Sequence, residues 1–158
     1  MALETLTEER ITELLIMPKK ILNEGARTVE KDGSKRLNYL ARSEDDEIAF
    51  HIYTRQNMAV GNDFSCGIYY VNSAGENVTL IRYNGSHHKH TNKIEEEEIG
   101  YACHIHRATT RYIDSRKIEG FATRTDEYTT LEGALSCMIR DCNIKGISAQ
   151  RESPLLFS

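Results

Sequence analysis

The sequence predicts an α+β fold: a single domain with a curved antiparallel meander sheet of five to seven strands, an N-terminal helix and a C-terminal helix. Three observations predict it. Helical periodicity is confined to residues 5–17 and 129–142. Between them lie runs rich in β-branched and aromatic residues that alternate apolar and polar, the pattern of half-buried strands. Short Gly-bearing connections join these runs, which suits strands that turn back on their neighbours. With 158 residues the chain has enough length for one core and too little for two.

Taken in order, residues 1–25 read as a helix and linker. Thr5 with Glu8 three positions later forms a capping-box pattern, Ile11, Leu14 and Leu15 supply one apolar face, and Pro18 ends the helix. Residues 26–123 read as the sheet. Asp32-Gly33 between 26–31 and 34–42 marks a tight hairpin, because both positions tolerate positive φ. In 48–56, Phe50 and Ile52 face one way while His51, Tyr53 and Arg55 face the other. The runs 64–71 and 77–83 form a second hairpin around the polar turn 72–76. The glutamates Glu95–Glu98 read as a solvated loop rim. Residues 101–107 alternate so that His104 and His106 share one face and Cys103 lies opposite, and 119–123 offers a short further strand. Thr129, Thr130 and Glu132 then open a helix over 129–143 with Leu131, Leu135, Met138, Ile139 and Cys142 as its stripe. Leu155-Leu156-Phe157 in the tail suits docking on the domain or contact with a partner.

Composition excludes some classes. A net charge of −4 is wrong for coating nucleic acid by charge alone, although a local basic site remains open. The four cysteines form no Cys-x-x-Cys pair, as expected of reduced core thiols in a cytoplasmic protein. No membrane is expected as a partner, because no apolar run reaches the length of a span and the N-terminus lacks the order of a signal peptide.

Five of the six histidines fall between residues 87 and 106: His87, His88, His90, His104 and His106. Histidine exchanges protons near neutrality and its neutral ring binds metals. One reading is a metal-independent ribonuclease in which His88, His104 and His106 divide the general-base and general-acid roles and Arg82, Arg107 and Arg111 meet the phosphate. Tyr83, Asn84, His87 and His90 would support them. That reading expects no cofactor; in a second, His104 and His106, with a third ligand from His90, His88 or Glu98, could hold a divalent ion such as zinc with one position left for water. The third is structural, with rings capping loops and bonding backbone on a sheet face. Cys103 beside His104 is not a nucleophile–base pair, since alternation separates the two.

The order of these features resembles small bacterial toxin–antitoxin toxins of the TumE type, together with related uncharacterised bacterial and mobile-element families. The resemblance spans residues 47–142 and is carried by Arg82-Tyr83-Asn84-Gly85 and the histidine clusters His87-His88 and His104-x-His106. It implies a growth-inhibiting toxin that could cut RNA and is held by a cognate antitoxin protein. The N-terminal helix and hairpin and the glutamate run depart from that pattern, which leaves open a non-catalytic binding protein on the same scaffold. An antiparallel return between the clusters predicts that His104 or His106 comes within one water or one metal ion of His88 or His90, with Arg82 or Arg107 at the border.

Overall fold

The computed structural model describes residues 6–147. Thr5, and the expected contact at Leu155–Phe157, lie outside the described residues. The first helix, α1 (Glu8–Ile16), is capped by Thr7, whose hydroxyl accepts a hydrogen bond from the Arg10 N–H at 3.0 Å. Ile11, Leu14 and Leu15 are its buried face, as their spacing requires. The last helix, α2 (Leu131–Asp141), is capped by Thr130, one of the two threonines expected there, whose hydroxyl accepts from the Gly133 N–H. Both helices pack on the same side of the sheet, α1 against the strand Asn77–Asn84 and α2 against that strand and the strands Ala49–Asn57 and Phe64–Val71.

The sheet is built from β1 (Lys19–Ile21), β2 (Val29–Lys31), β3 (Ser34–Ser43), β4 (Ala49–Asn57), β5 (Phe64–Val71), β6 (Asn77–Asn84), β9 (His104–Arg107), β10 (Phe121–Arg124) and β11 (Ile144–Lys145). A separate two-stranded hairpin is formed by β7 (His90–Asn92) and β8 (Glu97–Ile99). The spatial order is β10-β9-β6-β5-β4-β3-β1-β11, with β2 pairing β3, so nine strands stand where five to seven were expected. The run from β3 to β6 and on to β9 and β10 is an antiparallel meander. Among the described residues only β1 and β11 pair in parallel, a pairing that periodicity could not predict in strands of three and two residues.

Strand alternation decides what each face carries. Leu37, Tyr39, Phe50, Ile52, Cys66, Ile68 and Tyr83 are buried under the helices, and all four cysteines are free and buried. Asp32 and Gly33 both have positive φ, 52° and 75°, which is the reason this dipeptide closes the β2–β3 hairpin. Lys19, which read as a polar linker, is fully buried. Its ammonium donates to the carbonyls of Leu15, Met17 and Cys142 at 2.7, 2.9 and 2.9 Å, so one cation satisfies orphan carbonyls at the C-terminal ends of both helices. Burial lowers its pKa to about 8.

The glutamate run is more than a rim. Glu97 accepts from Asn92 at 2.8 Å, and Glu95 accepts from the Tyr112 hydroxyl at 2.7 Å and pairs with Arg111 at 2.6 Å. Asn92 is itself fully buried, and its amide donates to the Ala122 carbonyl while accepting from the Ala122 N–H, both at 2.8 Å. One side chain thus pairs the outer edge of β10 as a neighbouring strand would, and the hairpin is pinned over the histidine end of the sheet. No helix among the described residues is long and apolar enough to cross a membrane.

Candidate active site

The face away from the helices carries the histidines, because the register places His106 opposite Arg82 and His104 opposite Asn84. Continuing across the sheet, Arg82 lies opposite Gly67 and Asn84 opposite Ser65, which in turn faces Arg55. The pinned hairpin adds His90 from above. Here the chain separates its histidines into two groups.

The first group is closed. His90, His104 and His106 have ring centroids 4.5 to 5.8 Å apart. His104 is 2% exposed and His106 4%. Each ring is tied to backbone: His104 Nδ1 donates to the Ala102 carbonyl at 2.8 Å, His106 Nδ1 to that of Glu119 at 2.9 Å, and His90 Nε2 to that of Gly120 at 2.8 Å. A carbonyl can only accept, so these partners fix which nitrogen of each ring donates. Burial, with the Arg82 cation and the neighbouring rings behind it, pushes the His106 pKa down to about 3. His104 is lowered too, by burial first. Both rings are neutral at physiological pH.

The second group is open. Asn62, Asp63, Ser65, Arg55, Arg82, Asn84, His87 and His88 line a cavity of about 200 Å³ at the ends of β5 and β6. His87 and His88 meet edge to face with ring centroids 4.6 Å apart, and the His88 side chain is 74% exposed. His88 Nε2 lies 3.9 Å from Asp63 Oδ1. Asp63 is held on both oxygens, by Arg55 Nη2 at 2.7 Å and by Asn57 Nδ2 at 3.2 Å. Burial would raise its pKa, but the hydrogen bond and charge of Arg55, helped by His87 and His88, outweigh that and hold it below the usual carboxylate value. Arg82 bonds Glu119 at 3.2 Å. A guanidinium has five donors, so this contact leaves others for the cavity.

Gly85 shapes the same rim. Asn84-Gly85 reads as a tight turn in the sequence, yet Gly85 does not have positive φ. A Cβ there would come within 2.8 Å of the Phe64 ring, so glycine is required for close approach of the 62–64 segment, on which the Gly85 N–H bonds the Phe64 carbonyl at 3.0 Å.

Of the residues read from the sequence, Arg82, Asn84, His87 and His88 meet at the cavity. His90 does come against His104 and His106, but in the closed group. Arg107 points to the helix face, where it bonds Glu8 and Thr12 of α1 at 3.4 and 3.1 Å. Arg111 pairs with Glu95 over the Phe121 ring. Tyr83 is fully buried among the helices and donates to Asp141 at 2.7 Å. Asp63, Arg55 and Ser65 were not singled out. The signal for Arg55 was its place on the wet face of its strand; Asp63 is brought in by the register alone. The ligand atoms of Asp63, His87 and His88 lie within 4.8 Å of one another, a grouping that His90, His104 and His106 do not make. The chain matches no family model, no curated protein and no solved structure.

Proposed function

We propose that the protein is a toxin-like, cytoplasmic RNA-cleaving enzyme whose proton-transfer residues are His87 and His88, restrained in bacteria by a cognate antitoxin. The observation that carries this reading is the open histidine pair, backed by the anchored carboxylate of Asp63 and bordered by Arg55 and Arg82. One imidazole takes the 2′-hydroxyl proton as that oxygen attacks phosphorus, and the other protonates the departing 5′ oxygen, so the proton count closes without a further reactant. The guanidinium of Arg82 meets the charge on the phosphoryl oxygens. His104, His106 and His90 hold the β9–β10 edge and the hairpin in place behind the cavity. The growth-inhibiting role and the antitoxin are drawn from the TumE-type resemblance at Arg82, Asn84, His87 and His88.

A second reading is favoured by the convergence of Asp63, His87 and His88, which could hold a divalent ion such as zinc in a two-histidine, one-carboxylate arrangement; such an ion supplies an activated water. Hydrogen bonds from Arg55 and Asn57 to the carboxylate are the kind of support a ligand receives.

Incubating the purified protein with RNA, with and without EDTA, tests both. Cleavage that survives EDTA, produces 2′,3′-cyclic phosphate ends and vanishes in His88→Ala supports the first reading. Cleavage silenced by EDTA and restored by zinc supports the second. Absence of cleavage together with unimpaired growth of cells expressing the protein would sink both.

A further inference from the structure

We propose that the sheet face not covered by the helices is a track for single-stranded RNA leading into the cavity, a proposal that rests on the RNA-cleaving reading above. Both helices pack on the other face, so strands β3 to β5 present one whole side that neither helix covers. The register gives that side its composition. Leu40 lies opposite His51, and His51 opposite Tyr69, with the His51 and Tyr69 rings stacked at 4.7 Å and 5° between their planes. In the adjacent row Tyr53 lies opposite Gly67, where an added Cβ would come within 2.8 Å of the Tyr53 hydroxyl oxygen. Tyr53 therefore lies over the glycine, with its hydroxyl directed toward Arg82 on the far side of β5. The third row runs from Arg36 to Arg55 and into the cavity.

Aromatic faces beside guanidinium groups are what unpaired nucleotides bind: each base has a face to stack, and each phosphate a charge to meet. A duplex hides its bases and offers only its backbone. A chain of net charge −4 is poorly suited to that mode. Leu40, 45% exposed on β3, gives a base edge an apolar floor. Contacts from Arg36, Arg55 and Arg82 to three phosphates would give a salt dependence with a log–log slope of about −2, since a single strand contributes about −0.7 per phosphate.

The test is fluorescence anisotropy with a labelled, unpaired oligoribonucleotide, using the His87→Ala/His88→Ala protein so that the RNA stays intact. Binding should show that shallow salt slope, exceed binding of a duplex of equal length, and weaken about tenfold in Tyr69→Ala. Leu40→Glu, at an exposed position that leaves the core untouched, should weaken it similarly, with far-ultraviolet spectra confirming that both variants fold. Failure to bind unpaired RNA, equal binding of duplex, or affinity unchanged in both variants overturns the track, including the case where the face docks a protein instead. The two proposals fail separately. RNA binding that depends on Tyr69 without cleavage by the wild type sustains the track and removes the enzyme; cleavage indifferent to both face variants does the reverse.

Discussion

His88 and His90 are two residues apart, yet one is largely exposed at a cavity and the other is packed against His104 and His106. The same side chain sits in opposite surroundings in the two groups, and the difference lies in what receives its N–H and whether water reaches the ring. In the closed group each imidazole donates to a backbone carbonyl of the segments around β9 and β10, and burial keeps the rings of His104 and His106 uncharged. In the open group the nearest polar partner is a carboxylate that Arg55 and Asn57 already anchor, and the His88 ring stays largely exposed. Clustering of histidine in a sequence therefore locates a region but does not assign its chemistry.

The comparison is broken most forcefully by exchanging the losses. His87→Ala/His88→Ala should lower RNA cleavage by about 100-fold or more, the usual scale of acid–base contributions, while the melting temperature stays within about 2 °C of wild type. His106→Ala should do the converse. It leaves the Glu119 carbonyl without its donor and opens a void beside His90 and His104, at a cost of about 3 kcal/mol, or a melting temperature lower by about 9 °C. Calorimetry and a cleavage assay on the same preparations decide it. If the closed group proves catalytic while the open pair proves silent, the division described here is inverted.

Much of this division could be followed in the sequence, and some could not. Alternation from Ser34 to Asn84 set which residues share a face, and the His-x-His of β9 correctly put two rings in one space. Burial was not legible, because it depends on a hairpin clamped over the sheet by Asn92, a residue with no periodic signature in a three-residue strand. Lys19 was misleading for a similar reason: a lysine after a helix reads as solvated, and only the arrival of α2 at Cys142 supplies the carbonyls that make its burial tolerable. The site was half visible. Arg82, Asn84, His87 and His88 are neighbours along the chain, whereas Arg55 and Asp63 join them only through pairing of β4, β5 and β6.

Acidification should sharpen the contrast at a smaller scale. The folded-state pKa of His106 is about 3, below its ordinary value of 6.5, so the unfolded chain binds more protons between those limits and stability rises with pH there. This contribution is fully present above about pH 6.5 and is lost as pH falls toward 3. By pH 5 the loss from His106 is about 2 kcal/mol, and His104 adds in the same direction. Urea unfolding at pH 7 and pH 5 measures it. In His106→Ala the difference between the two pH values should shrink, whereas in His88→Ala it should persist; equal shrinkage in both would mean that the exposed ring, too, is tied to folding.

The smallest expected effect is a coupling. His88 and His106 share no hydrogen-bond partner, and between them stands Arg82, which lines the cavity and whose cation depresses His106. A double-mutant cycle on unfolding free energy, built from His88→Ala, His106→Ala and the pair at pH 7, should therefore close to within about 0.5 kcal/mol, the additivity of sites without a common partner. At that pH His106 is neutral, so an electrostatic route through Arg82 has only one charged end. At pH 4 the unfolded chain carries the His106 proton while the folded one still excludes it, so stability there leans on the surroundings of that ring. The coupling should grow there, yet stay well below the single-variant cost of His106→Ala. A coupling near 2 kcal/mol already at pH 7 would show that the open and closed histidines form one unit, and the assignment of proton transfer to one and scaffolding to the other would have to be given up.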